Sequence, residues 1–226
     1  MSLAEAETCF KTGDLLKAEE IALRHPDSFV SYIIQRRMRE IRDWNVNGKP
    51  LDGVFIKPFK EFPKFNRALE IVSKYANDSK LTMLDVGCFV GIWPLYLRSL
   101  GHLARGYDIH KSLMKDMDIK FGGFKFANAE RLTEVYDEKF DVITFFDSLE
   151  HIIDDSKAIS EAEKLLNKRG LLIIHVPLNH IYPDEGEEHM RKYKGSDIED
   201  LIPGINTEAC TDENGNPTLL GYKIYE

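Results

Sequence analysis

Apolar residues follow two different rhythms along this chain. Before about Trp44 they recur at helical spacing: in GDLLKAEEIALRH, Leu15, Leu16, Ala18, Ala22 and Leu23 form a stripe that His25-Pro26 ends. A second helix from Asp27 would align Val30, Ile33, Ile34, Met38 and Ile41, with Arg36, Arg37, Arg39 and Arg42 largely elsewhere. Asn47, Gly48, Pro50, Asp52, Gly53 and Pro58 then cluster into a loop. We therefore divide the chain into a helical extension with its linker over 1–58, read as an amphipathic lid, and a core over 59–226.

In the core the rhythm changes. A helix (KFNRALEIVSKYA) is followed by LTMLDV, GIWPLYLRSL, HLARGYD, a polar helix, FKFAN, FDVITFF, EAEKLLNK and GLLIIHV, so that short apolar strands alternate with helices. Such alternation implies βαβ crossovers and a doubly wound, mainly parallel sheet covered by helices on both faces. The tail breaks the pattern: GINTEACTD and PTLLGYKIY, separated by ENGN, read as a C-terminal antiparallel hairpin.

Composition narrows the setting. At 226 residues with 43% hydrophobic and 30% charged residues, the chain should fold around one core, and a net charge of -8 makes nucleic acid a disfavoured partner. Cys9, Cys88 and Cys210 are widely spaced and lack a CxxC pair, which predicts neither a disulfide framework nor a zinc site and fits a cytoplasmic protein. The start, MSLAEAETCF, lacks the basic and apolar regions of a signal peptide, and no run reaches the roughly 18 apolar residues of a membrane span. His151, His175, His180 and His189 show no HxxxH or HExxH spacing, so no metal is expected.

In an open parallel sheet ligands bind beyond the carboxyl ends of the strands, and the residues there carry the candidate chemistry. Gly87 and Gly91 lie in GCFVG between a strand and a helix, where backbone amides can face a ligand or where glycine serves backbone geometry alone. Asp108 ends the second strand, about 20 residues beyond the glycines, where a carboxylate can accept both ribose hydroxyls or cap the next helix. Asn128-Ala129 and Asp147-Ser148-Leu149-Glu150-His151 follow the third and fourth strands.

LDVGCFVG, GYD, FANAERL, FDVITFFDSLEHI and LLNKRGLLIIHVPLN, in that order, resemble the successive motifs of class I (Rossmann-like) S-adenosylmethionine-dependent methyltransferases. The LEHI and VPLN segments are similar to the branch acting on small molecules. The resemblance runs from about Leu81 to the C-terminus and implies S-adenosylmethionine as cofactor, with seven strands, the last two forming the hairpin. It assigns Asp85, Gly87, Cys88 and Gly91 to the methionine part, Asp108 to the ribose, Asn128 and Ala129 to the adenine, and Phe146, Asp147 and Ser148 to the sulfonium side, and it counts Phe89 and Ile109 among the cofactor-binding residues. Phe89 stands where the family has glycine, so its ring must turn away from the cofactor.

The expected function is methyl transfer to a small-molecule acceptor, oxygen preferred over nitrogen. His151 is the candidate base or, alternatively, a structural histidine at the start of the next helix; His189, Arg191 and Tyr193 either line the acceptor pocket or belong to a solvated loop. Two alternatives remain at this point. One is a protein methyltransferase recruiting a protein partner through its N-terminal helices; the other is a non-catalytic module in which Phe89 blocks the cofactor.

Overall fold

A computed structural model of the protein describes Ser2, Glu5, Ala6, Cys9 and residues 15–25, 63–89, 91–178, 190–212 and 215–226. The chain separates into two compact units, Met1–Lys57 and Pro58–Glu226. In the first, α1 spans Leu15–Ala22. It stops short of His25: Leu23 and Arg24 turn, with Arg24 N–H bonded to Ile21 O, so Leu23 is exposed while Ile21 and Ala22 are buried. The side chains of Leu15, Leu16 and Ala18, the expected second helix and the expected loop lie outside the described residues.

The second unit opens with α2 (Pro63–Ala76), whose first residue is a proline that loses no helical hydrogen bond there. Its Phe65, Ala68, Ile71, Val72 and Ala76, spaced by three and four, are buried. There follow β1 (Thr82–Val86), α3 (Ile92–Ser99), β2 (Leu103–Asp108), α4 (Lys111–Phe121), β3 (Phe124–Phe126), a 3-10 turn (Ala129–Glu134), β4 (Phe140–Phe146), a second 3-10 turn (Leu149–His151), α5 (Asp155–Leu165), β5 (Leu166–Pro177), α6 (Gly195–Leu201), β6 (Asn206–Thr211) and β7 (Pro217–Ile224). The strands form one sheet in the order β3-β2-β1-β4-β5-β7-β6. β1 to β5 run parallel, and β7 enters antiparallel between β5 and β6. The expected doubly wound fold with its C-terminal hairpin is therefore present.

Alternation along the strands assigns the two faces. Leu84, Val86, Ile143, Phe145, Leu172, Ile174 and Val176 pack with Ala158, Ile159, Ala162 and Leu165 of α5 and Ile198 of α6. The opposite face carries Asp85 beside Thr144, and Phe146 beside His175; here Phe65 of α2 and Trp93 of α3 stack 5.4 Å apart, and both meet Phe146 edge-on. Each aromatic of this cluster removes a large apolar area from water, with ring pairs adding about 0.5–1.5 kcal/mol apiece.

Several boundaries differ from the sequence reading. The expected helix EAEKLLNK ends at Leu165, because Leu166–Gly170 already belongs to β5: the register slips between Phe140 and Val142, Arg169 takes φ 63°, and Asn167 bonds Asp141. β3 stops at Phe126, and Asn128 instead caps the first 3-10 turn by accepting from Glu130 N–H. The helix after β4 begins at Asp155 with Asp154 as its cap, which leaves His151 in the separate turn Leu149–His151.

Candidate active site at the strand ends

The turn after β1 is built by backbone demands. Gly87 and Gly91 take φ of 79° and 68° and Phe89 takes 47°, a left-handed region that only glycine occupies without strain. Gly87 has a second reason to lack a side chain: a Cβ there would lie 2.5 Å from Ser148 Cβ. The Gly87 and Cys88 N–H groups both donate to Tyr107 O at 2.9 Å, and Ser148 Oγ donates to Val86 O at 2.8 Å, tying the ends of β1, β2 and β4 together. Cys88 is buried against Met114, and burial pushes its thiol well above the usual value, so its side chain is packing.

Asp108 closes this side. It is not the cap of α4, which is His110. Its Oδ1 accepts from His110 N–H at 3.0 Å and pairs with His110 Nδ1 at 2.7 Å, while Oδ2 accepts from Phe89 N–H at 2.9 Å. Burial alone would raise its pKa, but these donors outweigh burial and hold the carboxyl below its usual value. A carboxylate offers about four lone-pair directions. With these three contacts in place one direction is left, on Oδ2, so accepting both ribose hydroxyls requires the His110 ring to swing away. The Phe89 ring lies edge-on to that of His110, 6.2 Å between centroids. Ile109 beside them is 61% exposed, Asn128 is exposed and Ala129 is buried.

The other side of the edge is electrostatically tense. Asp147 sits at φ 48° directly after β4. Its backbone N–H donates to His175 O, its Oδ1 pairs with His175 Nδ1 at 2.6 Å, and its Oδ2 forms an ion pair with Lys64 at the start of α2. Burial would raise the carboxyl, but the Lys64 ammonium and then His175 overcome it and hold Asp147 well below its usual range. Glu150, 1% exposed, goes the other way: burial, reinforced by the Asp147 charge, raises it from 4.5 to about 8. Buried Asp85, which accepts from Thr144 Oγ1 at 2.7 Å, is raised from 3.8 to about 7, chiefly by burial.

The seven-stranded sheet agrees with the comparisons to known proteins. A family model described as a methyltransferase domain matches residues 61–205. The chain belongs to this methyltransferase family. Among curated proteins it is 26% identical over 121 residues to the ubiquinone biosynthesis O-methyltransferase of Hydrogenovibrio crunogenus, a match covering 50% of this chain and 49% of that one. It is 29% identical over 169 residues to the protein of the same name from Pelagibacter ubique, covering 66% and 67%. The chain thus spans about half the length of the first of these relatives. Among solved structures, an S-adenosylmethionine-dependent methyltransferase from Clostridium acetobutylicum shares the fold at a TM-score of 0.57 and 16% identity, over 84% of this chain and 98% of that one.

Within this methyltransferase domain the structure brings Asp85, Gly87, Phe89, Asp108 and Ser148 to one edge, with Asp147 directly preceding Ser148. It also adds residues the sequence reading did not single out: Lys64, Glu150 as a buried acid, and His175 as the partner of Asp147. A lone imidazole in the apolar run LLIIHV was the available signal for His175. His151 is exposed, and its N–H bonds Ser148 O. Arg191 and Tyr193 are spent on architecture: the Arg191 guanidinium donates to the carbonyls of Leu149, Ile152 and Ile153, and the Tyr193 hydroxyl to Asp155. His180, His189 and the acidic run 184–188 lie outside the described residues. Among the described residues no group of three or more His, Cys, Asp or Glu is placed to hold a metal, and no helix is long and apolar enough to cross a membrane.

Proposed function

We propose that residues 59–226 transfer a methyl group from S-adenosylmethionine to a hydroxyl of a small molecule. The observation that carries the reading is the pairing, along one edge of a methyltransferase-family sheet, of a glycine turn and an ionised Asp108 with a cluster of acidic side chains around Asp147. The names of the curated relatives, both O-methyltransferases, support oxygen as the acceptor atom.

The residues present fit the cofactor. Asp108 keeps an Oδ2 lone pair for a ribose hydroxyl, exposed Ile109 offers an apolar surface beside it, and the Phe89 ring rests against His110. On the other side Lys64 balances Asp147, and the buried, raised Asp85 and Glu150 can lose their protons to a cation bound there. When bound, the cofactor supplies an electrophilic methyl group on a positively charged sulfur. The protein's work is then to hold the acceptor oxygen in line with that methyl and to remove its proton.

In this reading Asp85, Gly87, Cys88, Phe89 and Gly91 surround the methionine part, Cys88 through its backbone. Asp108 and Ile109 meet the ribose, Asn128 and Ala129 the adenine, Phe146, Asp147 and Ser148 the sulfonium side, and exposed His151 stands on the acceptor side. Free thiols at Cys88 and Cys210 support a cytoplasmic setting. Incubating the protein with S-adenosylmethionine and a panel of phenols, alcohols and amines, with methylated products read by mass spectrometry, tests the proposal. Methylation of hydroxyl compounds is expected; methylation of amines alone would overturn the choice of oxygen.

A further inference from the structure

We propose that the His175–Asp147 pair is the base that takes the acceptor's proton. The inference rests on the methyl-transfer reading above. His175 is 1% exposed, yet its Nε2 has no hydrogen-bond partner among the described residues. A buried ring nitrogen left unsatisfied costs free energy that an apolar residue at this position in LLIIHV would avoid. The other ring nitrogen is committed: Nδ1 lies 2.6 Å from Asp147 Oδ1. Donation of Nδ1–H to that carboxylate fixes the tautomer and leaves the Nε2 lone pair as the proton acceptor. Lys64 holds the second oxygen of Asp147, so the carboxylate is braced from α2 as well as from β5.

The register puts the ring where the chemistry would occur. His175 pairs with Phe146, the last residue of β4, so its side chain stands at the carboxyl edge of the sheet and on the face that carries Asp85 and Phe146. The Phe146 ring centroid is 6.4 Å from that of His175. The charged groups around the pair are Lys64 from α2, Glu150 after β4 and Asp85 on β1.

The step balances. The acceptor O–H proton moves to His175 Nε2, the oxygen lone pair forms the new O–CH3 bond, and the S–CH3 electron pair returns to sulfur. The resulting imidazolium is stabilised by Asp147 and then releases its proton to solvent.

The test uses the whole chain, S-adenosylhomocysteine, S-adenosylmethionine and catechol as the phenolic probe. His175→Gln is expected to lower kcat by about 10²- to 10⁴-fold, to keep S-adenosylhomocysteine affinity within about twofold of the wild type, and to lose the acidic limb of the kcat–pH profile. A second readout needs no variant: with ring-¹⁵N histidine in the wild-type protein, catechol added to the S-adenosylhomocysteine complex should shift the His175 Nε2 resonance. A His175→Gln enzyme that keeps wild-type kcat, a larger loss of kcat in His151→Ala, or an unmoved Nε2 line would each overturn the inference while leaving methyl transfer intact. Should His175→Gln fail to fold, the Nε2 line decides. A wild-type protein that binds neither nucleoside overturns the underlying reading itself.

Discussion

The two halves of the strand-end edge solve opposite problems. At the ends of β1 and β2 donors and acceptors answer one another: Asp108 takes three contacts and the Gly87 and Cys88 N–H groups share Tyr107 O. At the ends of β4 and β5, buried His175 Nε2 and Glu150 Oε2 are left without partners among the described residues. The first half is a preformed rim suited to binding. The second carries unspent hydrogen-bonding capacity, a feature expected where protons move.

Breaking the satisfied half should cost stability most. Gly87→Ala forces a Cβ into Ser148 at a positive φ, and backbone strain plus overpacking should cost about 2–4 kcal/mol, read as a lower urea midpoint. Breaking the other half should cost rate as well: Asp147→Asn removes the charge shared by Lys64 and His175, and kcat should fall roughly 100-fold, with a lower urea midpoint because that charge also contributes stability. Asp108→Ala should weaken both S-adenosylmethionine and S-adenosylhomocysteine by about 10- to 100-fold in calorimetry; unchanged affinity would remove the ribose assignment.

pH sharpens the contrast further. Asp85 and Glu150 are raised in the fold to about 7 and about 8. As pH climbs from their ordinary values through these raised ones, the unfolded chain has released protons that the fold retains, so their contribution to stability falls with rising pH. Asp147, held low, contributes stability above its ordinary 3.8 that is lost only as pH falls below it. Tm should therefore decline between about pH 5 and about pH 8, and Asp85→Asn should flatten that decline. The smallest effect is a linkage one. A bound cation should pull protons off Asp85 and Glu150, so S-adenosylmethionine should release a fraction of a proton near neutral pH while uncharged S-adenosylhomocysteine releases less.

What the sequence made legible follows the same divide. The glycine turn could be read because backbone requirements write themselves as glycine at Gly87 and Gly91, and Asp108 because it ends a strand at a fixed remove. FDVITFF was bounded correctly as β4 because both its ends are polar or turn-forming. Only the LNK end of EAEKLLNK departs from helix, because Asn167 and Arg169 make a bulge that only its pairing with β4 explains. The Lys64–Asp147–His175 cluster was not legible, since its members are 83 and 28 positions apart and meet only through the register of β4 with β5 and the packing of α2. Glu161 follows the same logic: it reads as a surface residue of α5, yet it is buried and accepts from Thr133 N–H and Oγ1.

Calorimetric titration of the purified protein with S-adenosylmethionine and S-adenosylhomocysteine, with NAD as the control dinucleotide, tests the central claim most directly. The account predicts saturable binding of both sulfur nucleosides and none of NAD; binding of NAD alone would contradict it.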